Sequence, residues 1–352
     1  MANVTYTVAN KNGSYDGDMV VKQYTSLTID TNDIVTVDQP CRGLMILVQG
    51  NATINGELRM RGRGAFANPT SSGGSDNNDV STAGLRFPFL TSGGSSSLTA
   101  QSSLLDGCGT TARSVIANFK TLSSDGTILS LVRQGAGGGA GIGNNNIGNT
   151  GSAGSTGQTG GGGGGAAVSS GFSGEGSYGS CFGGGSGGGS IDNGGSVTGA
   201  TAWGGAGGNS TTAHTATGSG GEGNPAGSSF NTAGNGLEYG SEGGGTGGTI
   251  ILIVGGNLTI GASGKINCDG GRSRHAFGSN DYITTGGACG GGNIIIAHKG
   301  SYTNNGSVTA NGGLAGLCYT GNYGHGGTQS SGNQAKRGGN GGNGSVQTLS
   351  II

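Results

Sequence analysis

The sequence predicts an all-β protein: a β-solenoid or sandwich-like stack of short strands, carrying long insertions packed as polyglycine II helices. Three observations predict it. A strand, corner, strand, corner, strand segment recurs; its apolar runs have strand length and are rich in β-branched residues; and 88 of the 352 residues are glycine against only 4 prolines. Short uninterrupted apolar runs and period-2 alternation belong to strands rather than to amphipathic helices.

Taken in chain order, residues 1–41 form an N-terminal β region expected to attach or cap the molecule, with SLTIDTNDIVTVDQ at 26–39 reading as a strand pair. Residues 42–132 form a first β module with a Gly/Ser-rich insertion. Its opening, RGLMILVQGNATINGELRMRGRG at 42–64, aligns with GGTIILIVGGNLTIGASGKINCDGG at 247–271 and GGGNIIIAHKGSYTNNGSVTANGG at 290–313. Each copy starts with a run apolar at every position (Leu44 to Val48, Ile250 to Val254, Ile294 to Ala297), the pattern of a strand buried on both faces. A short Thr-bearing piece follows, then a strand that alternates. Leu58 and Met60, Ile266 and Cys268, and Val308 and Ala310 take one face, with polar residues between them on the other. GTILSLV at 126–132 and the closing SVQTLSII at 345–352 are partial copies. Coils of this kind cannot bury their apolar side alone and stack on their neighbours.

Residues 133–248 form a glycine-rich region, and 249–352 hold the C-terminal β repeats with glycine-rich loops. The six glycines at 160–165 break the strict every-third-residue register that collagen needs. Long glycine strings are expected to take the left-handed extended helix of about three residues per turn. Without side chains such helices can lie against one another, so that N–H groups of one meet carbonyls of the next. The first strand of each repeat would then face the solenoid interior on one side and the base of the glycine layer on the other.

The net charge of −1 comes from 16 basic and 17 acidic residues scattered along the chain, which predicts neither nucleic acid nor an anionic membrane as partner. No run approaches the roughly 18 apolar residues of a membrane span, and no apolar leader follows a basic start, so the chain is expected to fold where it is made. Cys41, Cys108, Cys181, Cys268, Cys289 and Cys318 have no C-x-x-C spacing and no clustering with His at metal-ligand spacing, and are expected to be small packed thiols rather than zinc ligands. His214, His275, His298 and His325 lie in separate segments. Glycine motifs resembling phosphate cradles lack the strand-to-helix context that would give them meaning. Glu175, Glu222, Glu238 and Glu242 sit among small residues, with nothing to tune a carboxyl for glycoside cleavage. No cofactor, metal or catalytic residue is therefore expected.

Segments poorer in glycine interrupt the strings at 65–103, 201–218, 224–240, 272–285 and 314–327, and they carry the larger side chains. Loops on a rigid scaffold are where binding residues concentrate. Trp203, His214, Phe230, Tyr239, Phe277, Tyr282, Tyr319 and Tyr323 are the candidate contact residues, because aromatic rings supply rigid contact area for sugars or protein surfaces. The alternative role for the aromatics is as small cores capping the glycine layer.

LTIDTNDIVTVDQPCRGLMILVQGNATINGELRMRGRGA, GGTIILIVGGNLTIGASGKI and GGNGGNGSVQTLSII together resemble phage glycine-rich virion proteins over most of the chain. The glycine blocks separated by variable loops are also similar to the receptor-binding adhesins of T-even-type long tail fibres. That resemblance implies packed polyglycine helices, loops that grip a host surface protein or glycan, and residence in the virion beside other virion proteins; a homo-oligomer is the expected assembly. The expected function is thus a non-enzymatic tail-fibre or tail-tip adhesin. A capsid-decorating, head-fibre or neck protein is the alternative, and a glycan depolymerase or an ice-binding surface the remote ones.

Overall fold

The computed structural model describes residues 3–11, 17–64, 151–157, 159–163, 166, 183–185, 187, 245–273, 276–278, 283–320, 328–329 and 335–351, and every regular element among them is a strand. The chain enters through β1 (Val4–Tyr6) and then runs β2 (Val20–Tyr24), β3 (Leu27–Ile29) and β4 (Ile34–Val37). The same three-strand order returns as β5 (Leu44–Val48), β6 (Ala52–Ile54) and β7 (Glu57–Arg59), and again as β8 (Thr249–Val254), β9 (Leu258–Ile260) and β10 (Lys265–Asn267). Two short strands, β11 (Ala276–Gly278) and β12 (Ile283–Thr284), precede the next unit, β13 (Asn293–His298), β14 (Tyr302–Asn304) and β15 (Ser307–Thr309). Short strands β16 (Cys318–Thr320), β17 (Thr328–Gln329) and β18 (Ala335–Lys336) then lead to β19 (Ser345–Ser350), which the closing partial copy supplies.

Corresponding strands of successive units pair in parallel, in three sheets ordered β19-β13-β8-β5-β2, β14-β9-β6-β3 and β1-β4-β7-β10-β15. Register follows the sequence repeat: Leu44 pairs with Val20 on one side and Ile250 on the other, and Ile250 pairs with Ile294. The pair expected within 26–39 forms two strands that do not meet each other. β3 joins β6, while β4 joins β1 and β7. The reason is the corner between them, where Asp33 N–H bonds the Asp30 carbonyl at 3.0 Å and Asn32 takes the left-handed conformation at φ 71°, redirecting the chain into another sheet.

Inside, the alternation read from the sequence builds one apolar core. Leu44, Ile46 and Val48 of β5 and Ile250, Leu252 and Val254 of β8 point into it. Ala52, Ile54 and Leu58 join them from the other two sheets. Each fully buried aliphatic side chain contributes about 1.5–3 kcal/mol of transfer free energy. The opposite face of the first sheet is apolar too, with Met45 and Ile251 buried beside Met19 and with Val21, Leu47 and Ile253 packed on them. Asparagines stack at one corner: Asn257 N–H donates to Asn51 Oδ1 and Ser301 N–H donates to Asn257 Oδ1, each at 2.9 Å.

Between β7 and β8 the chain departs and returns at one point, where Gly64 N–H meets the Thr246 carbonyl at 2.9 Å and Thr246 Oγ1 donates back to the Gly64 carbonyl at 3.3 Å. The partial copy at 126–132 lies outside the described residues. Of the glycine-rich region, 151–157, 159–163, 166, 183–185, 187 and 245–248 are described. Among residues 151–166, backbone hydrogen bonds to the C-terminal region recur every third residue. Gly151, Gly154 and Gly157 donate to the carbonyls of Arg337, Asn340 and Asn343; Gly160, Gly163 and Ala166 donate to Gly291, Ala288 and Thr285. Contact is close enough that a Cβ on Gly163 would overlap the Gly339 carbonyl, and one on Gly184 the Gly290 carbonyl. Glycine is required there by space rather than by dihedral angle.

Candidate functional site

Two of the expected contact segments, 272–285 and 314–327, are held together. The chain leaves β10, runs out through Gly270 and Gly271, and returns through 285–292 to β13; it leaves β15, runs out through 310–316, and returns through 337–344 to β19. Outgoing and returning runs are joined by backbone bonds such as Gly313 N–H to the Cys289 carbonyl and Gly341 N–H to the Gly313 carbonyl, at 2.8 and 2.9 Å. The loops therefore stand on a four-run base.

At that base single polar side chains tie the first loop to the second and close the two ends of the second on each other. Ser273 and Thr285, both buried, flank the first loop. Ser273 Oγ accepts from Gly316 N–H at 2.6 Å, and Thr285 Oγ1 accepts from Gly338 N–H at 2.9 Å. Arg337 Nε donates to the Gly316 carbonyl at 3.0 Å, and Asn340 Oδ1 accepts from Ala315 N–H at 2.7 Å. Such residues satisfy backbone groups that the glycine runs leave open where their mutual register ends. Sequence reading missed all four as positioning residues. The available signal was their isolation: Thr285 directly before a glycine pair, and Arg337 and Asn340 spaced by three around one.

Beyond the base the segments expected to be plain loops contain strands. β11 and β16 pair in parallel, with Phe277 opposite Tyr319, and Tyr319 is opposite Gln329 of the antiparallel β17. β12 pairs in parallel with β18, Ile283 opposite Ala335. Strands of two or three residues leave no periodic trace in a sequence, and their partners lie in the next repeat, which is why local pattern did not find them. Of the eight candidate contact residues, the structure thus places Phe277 and Tyr319 at paired positions. Trp203, His214, Phe230, Tyr239, Tyr282 and Tyr323 lie outside the described residues.

Chemically reactive groups nearby are subdued. Burial pushes the Cys318 thiol up to about 12, with the Arg337 guanidinium opposing only in part, and burial likewise raises Cys268 well above the ordinary range. A protonated thiol is a poor nucleophile. Cys41, Cys268, Cys289 and Cys318 are all buried. His298 stacks on Tyr302 with ring centroids 5.4 Å apart, and its Nδ1 lies 2.7 Å from the Gly300 carbonyl. Among the described residues there is no group of three metal-ligating side chains, and no helix is long and apolar enough to cross a membrane. An open cleft of about 520 Å³ lies elsewhere, across the ends of β2, β5 and β8. Leu47 and Ile253 supply its apolar lining, and Gln23, Thr25 and Gln49 its polar lining.

No family model, no curated protein and no solved structure matches the chain.

Proposed function

We propose that this chain is a non-enzymatic surface or appendage protein of a phage particle, in which loops on a stiff glycine-rich scaffold contact the host cell. In this reading the successive three-strand units are coils of a β-solenoid, and the glycine runs are helices of the polyglycine II type packed against it. Parallel in-register pairing of corresponding strands supports the first point, since the strands of a sandwich are antiparallel. Hydrogen bonds recurring every third residue support the second, because that is the repeat of a helix with three residues per turn.

The observation that carries the functional reading is the joining of two aromatic-bearing segments, Phe277 opposite Tyr319, over a base knitted by Ser273, Thr285, Arg337 and Asn340. A contact surface binds well when its side chains are ordered beforehand, because less freedom is lost on association. The partner is a host-surface protein or glycan, and the chain's neighbours are other virion proteins. Replacing residues 274–284 and 321–334 by short Gly-Ser linkers in otherwise intact particles tests it. Adsorption to host cells is expected to fall at least tenfold while particle assembly is unchanged. Unchanged adsorption would remove the adhesin role, and immunolabelling of the capsid in the same particles would assign the chain to head decoration instead.

A further inference from the structure

The row of residues at which the glycine runs feed into the first sheet holds two polar side-chain atoms that no protein group satisfies. Thr249 and Asn293 open β8 and β13, stand opposite each other in register, and are 1% and 0% exposed. Asn293 Oδ1 accepts from Ser345 Oγ of the next strand at 2.9 Å, but Asn293 Nδ2 and Thr249 Oγ1 are both buried without a hydrogen-bond partner. Buried polar atoms in folded proteins are nearly always bonded to protein or to ordered water, and leaving one unbonded costs about 1–3 kcal/mol. Here one atom is an obligate donor and the other can accept, and they lie on adjacent strands.

We infer that a single internal water molecule bridges Asn293 Nδ2 and Thr249 Oγ1 at the seam between the first sheet and the glycine runs. Water suits the site because it accepts from the amide and donates to the hydroxyl, and buried waters characteristically join such otherwise unsatisfied groups. Neighbouring positions in the same row explain why the site is local. Gly43, against Thr249 on the other side, has no side chain, and Met19 fills the space there, with its Cε 2.8 Å from where a Cβ would stand. Ser345, on the far side, is already engaged with Asn293. The water completes a polar row, Thr249 to Asn293 to Ser345, that fixes the register of β8, β13 and β19 where each strand leaves a glycine run.

Water-to-protein NOE spectroscopy on the full chain tests the inference. The side-chain amide protons of Asn293 are expected to show cross-peaks to the water line with the sign of a long-lived, protein-bound molecule. Thr249→Val should abolish them and Thr249→Ser should retain them. Assigned Asn293 amide protons without such cross-peaks in the wild-type chain would overturn the inference, as would a high-resolution crystal structure with Thr249 and Asn293 bonded directly. The wild-type spectrum decides the matter even if Thr249→Val does not fold.

Discussion

A methyl group on Gly160 would overlap the carbonyl oxygen of Gly342, and one on Gly342 would overlap the carbonyl of Ser155. Both obstacles are backbone, so neither can rotate away. Gly160→Ala and Gly342→Ala are each expected to destabilise the chain by about 1–3 kcal/mol, the usual range for overpacking. Ser155→Ala, at an exposed position, should stay within about 0.5 kcal/mol of wild type. Denaturant unfolding of the three variants checks this.

The same contacts predict where amide exchange is slow. Gly154, Gly157, Gly160 and Gly163 donate to Asn340, Asn343, Gly291 and Ala288 at 2.8–3.1 Å. Their amides should exchange at least a hundredfold more slowly than those of an unstructured glycine peptide, since exchange needs local opening. Uniform fast exchange over 151–163 would contradict the packed glycine layer.

The strand stack was legible because its code is local and repeated. Leu44 to Val48 and Ile250 to Val254 are apolar at every position, and burial on both faces of that sheet is what such a run demands. Asn32 shows where legibility stops: nothing in DTND says that the turn sends β4 into a different sheet. The base of the loops was opaque for another reason. Ser273 and Thr285 act on backbone groups of Gly316 and Gly338, from the next repeat, and a hydroxyl among glycines carries no mark of so distant a partner.

Core rows predict a contrast at one register position. Ile29, Ile54 and Ile260 stand side by side, and the next strand continues the row with Asn304, which is exposed and accepts from Gly306 N–H at 3.1 Å. A polar residue there ends the apolar stack, as terminal repeats commonly do. Ile54→Ala should cost about 2–5 kcal/mol and Asn304→Ala under about 1 kcal/mol, measured as midpoint shifts in the same unfolding assay.

Cys318 gives a pH dependence with a definite sign. Burial raises its thiol from the ordinary value of 9.0 to about 12, so the folded chain holds its proton where the unfolded chain has released it. The contribution is fully present below pH 9 and is lost as the pH climbs from there towards 12. Stability should decline over that window, less steeply in Cys318→Ala. Iodoacetamide at pH 8 should leave Cys318 unmodified until denaturant is added, as peptide mass spectrometry would show.

Separating the proposed contact role of Tyr319 from the support beneath it needs two variants read in two assays. Tyr319→Ala removes an aromatic side chain and keeps the backbone pairing with Phe277 and Gln329 available. If the side chain is part of the host contact, adsorption falls by about tenfold or more, the loss typical of a truncated interface anchor, while the unfolding midpoint hardly moves. Thr285→Val instead removes the acceptor for Gly338 N–H in a fully buried setting. The orphaned amide should lower stability by about 1–3 kcal/mol and lower adsorption with it, because the loop loses its footing. Should Tyr319→Ala reduce stability as much as adsorption, the ring would be part of a small core capping the glycine runs and the contact surface would have to lie elsewhere.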